Sequence, residues 1–153
     1  QTRFVEEADA EMLLWHGYAW GSYINAAKDD MEAIADLAYA KAFVARSIEL
    51  DPDYYNAAGY TFMGVAISSE MAGDMDVAKV YFEKALARTE RRALQAQVNM
   101  ARHYAVKKGD RELFDQLLTE VMDAHDPLPE ARLSNQMARE RAALYIENAD
   151  QLF

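Results

Sequence analysis

Apolar residues recur at helical spacing along this chain, and the clearest example follows the pair Gly73-Asp74. Small and large apolar side chains then alternate at positions i, i+4, i+7 and i+8, which form one face of an α-helix. These residues are Ala78, Phe82, Ala85 and Leu86. Glycine favours the end of a preceding helix, and aspartate caps the next one. The pattern predicts a turn followed by a closely packed helix over residues 75–88.

Weaker versions of the same pattern lie on either side. Gly109-Asp110 comes 36 residues after the first pair, with apolar residues at the matching positions: Phe114, Leu118, Val121 and Met122. Upstream, Ala35-Asp36 precedes a similar series that ends at Asp51-Pro52, where proline disfavours a continued helix. The members of this series are Ala40, Val44, Ser47 and Ile48. A turn–helix signature that returns after about 34 residues resembles the tetratricopeptide repeat.

Turn and breaker residues divide the chain into seven predicted helices, at about residues 5–27, 37–50, 53–72, 75–88, 93–107, 111–124 and 129–148. Asp53 is expected to cap the third helix. The polar segment 25–36 is an insertion with some helical character. The predicted fold is all-α: a right-handed helical solenoid of about three tetratricopeptide-like helix pairs, with the seventh helix as a C-terminal cap.

Composition narrows the class of protein. The chain has 153 residues, enough for one domain spanning 1–153, with 52% hydrophobic and 27% charged residues. A net charge of −10 argues against binding to nucleic acid or to anionic membrane surfaces. The absence of cysteine excludes disulfides and thiolate metal sites. No apolar run reaches the length of a membrane span, and the first residue is Gln1, so we expect any signal peptide or lipid-anchor cysteine upstream.

Nothing in the sequence resembles catalytic machinery. The histidines His16, His103 and His125 are scattered and lack a metal-binding spacing. Ser68-Ser69 lacks the context of a nucleophile elbow. We therefore expect no enzyme activity, no metal and no cofactor.

The first predicted helix is rich in aromatic residues, so it is expected to be buried or to line a cavity. Projecting the repeat register onto the helices gives a candidate concave surface, aromatic at one end and polar at the other. The candidate ligand- or partner-binding residues are Trp15, Tyr18, Tyr55, Tyr60, Met63, Asn99, Arg102, His103, Asn135 and Arg139. Such a surface suits an amphipathic or anionic small molecule. The alternative is a hydrated groove that binds nothing.

Several segments together resemble one family. The more specific are the aromatic first helix, Leu14 to Asn25, and the run Ala101-Arg102-His103-Tyr104-Ala105-Val106. The others are residues 49–56, 62–65, 73–86 and 110–114. The resemblance, from about Phe4 to Phe153, is to the T component of tripartite ATP-independent periplasmic (TRAP) transporters.

This resemblance implies a periplasmic helical-repeat protein, usually attached to the membrane by a lipid anchor. Its partner would be the solute-binding P component of the transporter. A groove or pore in the fold would hold an apolar or carboxylate ligand, no enzyme activity is implied, and self-association is possible. The competing hypothesis is a homo-oligomeric scaffold without a ligand. An unfilled apolar cavity beside Trp15, Tyr18 and Tyr60 would distinguish the two.

Overall fold

The computed structural model describes residues 8–27 and 29–153, and every regular element in these ranges is helical. The helices are α1 (Ala8–Ala26), α2 (Met31–Ala35), α3 (Leu37–Leu50), α4 (Tyr54–Ser69), α5 (Met75–Arg88), α6, α7 (Arg111–Asp123), α8 (Arg132–Glu147) and α9 (Ala149–Leu152). Helix α6 is continuous but has three parts: Gln95–Asn99, the π-helical segment Met100–Ala105 and Val106–Lys108. A 3₁₀ turn, Pro129–Ala131, leads into α8. The all-α prediction is confirmed.

The predicted helix boundaries agree well with this arrangement. Helices α3 and α5 begin and end at the predicted residues, and the insertion before α3 contains the short helix α2. Asp74 caps α5 as expected, because its side chain accepts hydrogen bonds from Asp76 N at 2.9 Å and Val77 N at 3.1 Å. Gly109 ends α6 in the left-handed conformation, and Asp110 caps α7 by accepting from Leu113 N at 2.9 Å.

The structure leaves one predicted helix start untested and differs from the prediction at another. The predicted start of the first helix, near Val5, lies outside the described residues. The prediction that Asp53 caps α4 is wrong: its side chain accepts no capping hydrogen bond, and its carboxylate instead pairs with Arg88 of α5. The reason is a left-handed turn at residues 55–57, which turns the amides that such a cap would bind away from a regular helical start.

Helices that are neighbours in sequence pack against each other. The closest pairs are α1 with α3, α4 with α5, and α6 with α7. Helix α3 also contacts α4, α4 and α5 contact α6, and α8 lies on α6 and α7. The repeat pattern predicts most of the core, since ten of its twelve positions in the three versions are buried and only Ile48 and Met122 are partly buried. Eight of the ten are fully enclosed. They are Ala40, Val44, Ala78, Phe82, Ala85, Phe114, Leu118 and Val121.

Two glycines allow α1 to approach its neighbours closely. A Cβ atom at Gly17 would overlap the Val44 side chain and lie 3.0 Å from the carbonyl oxygen of Ala40 on α3. A Cβ atom at Gly21 would lie 2.7 Å from the ring of Phe62 on α4. Helix α1 is therefore wedged between α3 and α4, and its two sides face different environments.

Candidate functional site

An open cleft of about 410 Å³ lies where α1, α4, α6 and α8 come together. Its aromatic and aliphatic wall comes from α1 and α4, and its polar wall comes from α6 and α8 together with Thr61 of α4. The first wall contains Trp15, Tyr18, Tyr55, Phe62 and Val65. The second contains Thr61, Gln95, Asn99, Ser134, Asn135 and Arg141. The cleft is therefore amphipathic.

The cleft aromatic group consists of five rings linked by successive contacts, four of which line the cleft. They are Phe62, Tyr18, Trp15, Tyr55 and, behind Tyr55, Tyr54. Trp15 meets Tyr55 edge to face, with ring centroids 4.9 Å apart, and Tyr18 lies 5.1 Å from Phe62. Trp15 Nε1 donates a hydrogen bond to the Tyr54 hydroxyl at 3.3 Å. Rings from α1 and α4 thus form one continuous surface, and both polar atoms of the tryptophan–tyrosine pair are satisfied across the helix boundary.

Tyr18 fixes α1 to α4 with a hydrogen bond as well as with its ring. Its hydroxyl donates to the carbonyl oxygen of Ala58 at 3.1 Å. Burial raises the pKa of the Tyr18 phenol well above its ordinary value, with a smaller contribution from nearby Tyr55. The phenol therefore stays protonated, and remains a hydrogen-bond donor, far into the alkaline range.

The backbone is strained where α4 enters the cleft. Tyr55, Asn56 and Ala57 have φ angles of 49°, 56° and 56°, so three successive residues other than glycine are left-handed. This conformation costs about 1–2 kcal/mol for each L-residue, and asparagine tolerates it best. Two of these residues, Tyr55 and Asn56, line the cleft. Strain of this kind tends to occur at binding sites, where surrounding contacts offset it.

Most amides of the polar wall already have protein partners. Asn135 accepts from Leu94 N at 2.9 Å and donates to Arg92 O at 3.0 Å, so it ties α8 to the start of α6. Gln95 donates to Ser134 O at 3.0 Å, and Asn99 donates to Gln95 O at 2.8 Å. These bonds set the position of the wall.

Two other polar groups of this wall have no partner among the residues that the structure describes. The Thr61 hydroxyl makes no hydrogen bond although the residue is only 8% exposed. Its oxygen is not fully enclosed by protein, so it keeps access to the cleft. Arg141 is exposed and forms neither an ion pair nor a hydrogen bond within those ranges. A donor hydroxyl and a free guanidinium on one wall can receive an anionic oxygen.

The structure brings five of the ten candidate residues together in this cleft. They are Trp15, Tyr18, Tyr55, Asn99 and Asn135. Tyr60 and Met63 lie in the core instead, with exposed fractions of 8% and 7%. The Tyr60 ring packs 6.2 Å from Tyr81 and beneath the Arg88 guanidinium at 5.5 Å.

The remaining three candidates lie outside the cleft lining. Arg102 and His103 are partly buried and belong to the π-helical segment of α6. Arg139 donates to the carbonyl oxygens of Ala124 at 3.0 Å and Met122 at 3.3 Å, so it covers the C-terminal end of α7. Arg139 also borders a smaller cavity of about 190 Å³.

Sequence reasoning missed the other ten of the fifteen lining residues, among them Thr61, Phe62, Val65 and Arg141. The positions of Phe62 and Val65 could have been found from the sequence, because they are i and i+3 on α4 and a single error in register hides both. No sequence signal distinguishes Arg141 from the other arginines of α8, since its lack of a partner becomes visible only in three dimensions.

A second set of rings, the outer aromatic group, lies on the opposite side of α1 and contains His16, Trp20, Tyr39 and Phe43. Trp20 stacks on Tyr39 of α3 at 5.9 Å and lies 6.0 Å from Phe43. Tyr39 is 61% exposed. This group forms part of the surface.

Within the described ranges, no cluster of histidine, cysteine, aspartate or glutamate has the makings of a metal site. No helix in the same part of the chain has both the length and the apolar character needed to cross a membrane.

Comparison with known proteins identifies the family. The family model described as the TRAP transporter T-component matches residues 3–153, which is essentially the whole chain. No curated protein matches the chain. The resemblance seen in the aromatic first helix and in residues 101–106 is thereby confirmed. The chain belongs to the TRAP transporter T-component family, and so to the components of TRAP transport systems.

Proposed function

We propose that this protein docks the solute-binding P component of its transport system and holds a small amphipathic carboxylate in the cleft. The observation that carries the ligand part is that four rings of the cleft aromatic group and the Arg141 guanidinium, unpaired among the described residues, line one cavity. Aromatic rings favour an apolar tail, and a guanidinium favours a carboxylate through two parallel hydrogen bonds. The unpartnered Thr61 hydroxyl supplies one further donor.

We also propose that the helix pairs stack as a single right-handed, tetratricopeptide-like solenoid with α8 as its cap. Two features support this arrangement: pairs form between successive helices, and α8 packs on both α6 and α7. A periplasmic location and a lipid anchor belong to the same proposal, and their support is the family.

Docking of the P component is tested with the purified solute-binding protein of the same transport system. We expect the two proteins to sediment together in analytical ultracentrifugation, in a complex that dissociates on dilution. Family membership supports this expectation. Separate sedimentation at micromolar concentrations of both proteins, with and without ligand, would contradict docking.

The ligand part is tested by calorimetric titration with octanoate, with 1-octanol as the neutral counterpart. Arg141→Gln should weaken octanoate binding by about 10- to 100-fold, since a hydrogen bond to a charged group contributes about 1.5–3 kcal/mol. Octanol binding should change little in the same variant. Thr61→Val should weaken octanoate binding by less.

The matched control is Arg46→Gln. Arg46 is an exposed arginine on α3 that pairs with Glu49 at 2.6 Å, away from the cleft. This variant should bind octanoate as the wild type does. If neither octanoate nor the aromatic acid 3-phenylpropionate binds the wild-type protein, the cleft does not hold a carboxylate of this size.

A ligand-free scaffold that assembles with copies of itself is the second candidate. The exposed rings of the outer aromatic group favour it, because exposed apolar patches commonly mark protein interfaces. Concentration-dependent self-association that is lost in Trp20→Ala, without any ligand binding, would support the scaffold.

A further inference from the structure

We propose that residues 55–57 form a two-state cover over the cleft. In the left-handed state, the one described above, Tyr55 lies against Trp15 and closes one side of the cleft. In the other state these residues become right-handed, which makes the first turn of α4 regular and withdraws Tyr55 from Trp15. The role of the cover in ligand access rests on the proposed function, whereas the two states themselves do not.

The segment is held by contacts on both sides and by the buried Ala57, whereas its first two residues are exposed. On its N-terminal side, Arg88 Nη1 of α5 donates to Asp53 Oδ1 at 2.6 Å. On its C-terminal side, the Ala58 carbonyl accepts from the Tyr18 hydroxyl of α1 at 3.1 Å. Tyr55 and Asn56 between these points are exposed, with Tyr55 at 54%. Ala57 is buried at 1%, and its amide donates to the Asp53 carbonyl at 3.2 Å, a bond four residues back that a right-handed helix also contains. The segment can therefore change its backbone conformation at the exposed residues while Ala57 keeps this bond and the flanking helices stay in place.

The local sequence favours the right-handed state. A proline at position 52 followed by Asp53 is a common start for a right-handed helix, with aspartate as the capping residue. The left-handed turn leaves Asp53 without its capping hydrogen bond. Among the three left-handed residues, only Asn56 belongs to a type that tolerates this region well. Local preference and observed conformation thus disagree, as expected for a segment with two accessible states.

Contacts across the cleft favour the left-handed state. Tyr55 packs edge to face on Trp15 with centroids 4.9 Å apart, and the neighbouring Tyr54 hydroxyl accepts from Trp15 Nε1 at 3.3 Å. These contacts join α4 to α1 directly over the cavity. A molecule that enters between Trp15 and Tyr55 removes the ring contact and so favours the open state, because a ligand shifts the population toward the state that it binds better.

The test uses two opposite substitutions at one exposed position. Asn56→Gly favours left-handed backbone, and Asn56→Val disfavours it, whereas both remove the same side-chain amide. Both are made in a Trp20→Phe background, so that Trp15 is the only remaining tryptophan of the two in the chain. The measurement is quenching of Trp15 fluorescence by acrylamide, without any ligand. A shift of about fivefold in the open-to-closed ratio is expected between the two variants.

Weaker quenching in Asn56→Gly than in Asn56→Val supports the cover. Equal quenching overturns it, whatever the protein binds. If Asn56→Val does not fold, Asn56→Ala replaces it and the same difference is expected, only smaller. Octanoate association rates are then measured for both variants, and the glycine variant should bind more slowly. A difference in quenching without octanoate binding would leave the cover intact and contradict the proposed function alone.

Discussion

Helix α1 contributes to two aromatic groups on opposite sides, and they differ in how their rings are joined to the neighbouring helix. The cleft aromatic group meets α4 through hydrogen bonds from Trp15 and Tyr18 as well as through ring contacts. The outer aromatic group meets α3 through ring contacts alone within the described residues, and Tyr39 is largely exposed. Both groups contain exposed rings, with Trp15 at 41% and Tyr55 at 54% in the first, but only the first lines the cleft.

The two groups differ in the hydrogen bonds that fix the orientation of their rings. A ring contact contributes modestly to the free energy of folding and allows several relative positions of the two rings. A hydrogen bond from a polar atom of the ring fixes the orientation of that ring. On the cleft side, two such bonds fix rings of α1 and α4 as one wall, and the cavity lies between this wall and the polar wall of α6 and α8. On the outer side no such bond joins the rings among the described residues, and Trp20 and Tyr39 stack.

The largest effect is expected from removing the Tyr18 ring. Tyr18→Ala deletes a ring that packs on Trp15 and Phe62, and it leaves the Ala58 carbonyl without its donor. We expect the free energy of unfolding to fall by about 3–5 kcal/mol, the usual cost for a large buried ring. Urea denaturation followed by circular dichroism measures it. A loss below about 1 kcal/mol would mean that the cleft group is no better packed than the outer group.

The middle effect is expected from removing only the Tyr18 hydroxyl. Tyr18→Phe should lower the free energy of unfolding at pH 7 by about 1 kcal/mol, because one hydrogen bond is lost. The deficit should shrink above pH 10. Since burial raises the pKa of Tyr18 in the folded protein, the folded state keeps a proton that the unfolded chain has lost, and the wild type loses stability with rising pH.

Urea denaturation at pH 7, 9, 10 and 11 measures this difference. Tyr23→Phe is the matched control, since Tyr23 is 56% exposed on the same helix and its hydroxyl makes no hydrogen bond within the described ranges. The same gap between wild type and Tyr18→Phe at all four pH values would show that the phenol is not held protonated by the fold.

The smallest effect is expected on the outer side. Tyr39→Ala removes a ring that stacks on Trp20 but remains 61% exposed, so unfolding should become easier by only about 0.5–1 kcal/mol. The same denaturation experiment measures it. A loss as large as that of Tyr18→Ala would remove the distinction between the two groups.

The helices could be predicted from the sequence because the patterns that mark them are local. Apolar spacing and the turn pairs Gly73-Asp74 and Gly109-Asp110 are enough to locate α5 and α7. The conformation at the start of α4 could not be predicted in the same way, because it includes three left-handed residues that lie at contacts with α1. A contact between residues about 40 positions apart produces no recognisable local sequence pattern.

Only half of the candidate site residues line the cleft, for a related reason. Projecting residues onto a surface assumes a regular α-helical register, and α6 departs from it. Asn99 lines the cleft, but His103, four residues later, does not, because a π-helical segment begins at Met100. Tyr60 shows a second limit of prediction from sequence. It lies in the core, but aromatic residues at helical spacing occur both in cores and in cavity walls.

The π-helical segment of α6 also bears on how the chain can change its length. In this segment the amide of Val106 donates to the carbonyl of Ala101, five residues earlier, whereas an α-helix would reach four residues back. Each such turn accommodates one residue more than an α-helical turn of similar rise. A single deletion between residues 100 and 105 could therefore be absorbed by a return to α-helix. A one-residue deletion should be tolerated at this point in the middle of a buried helix, where deletions are usually least acceptable.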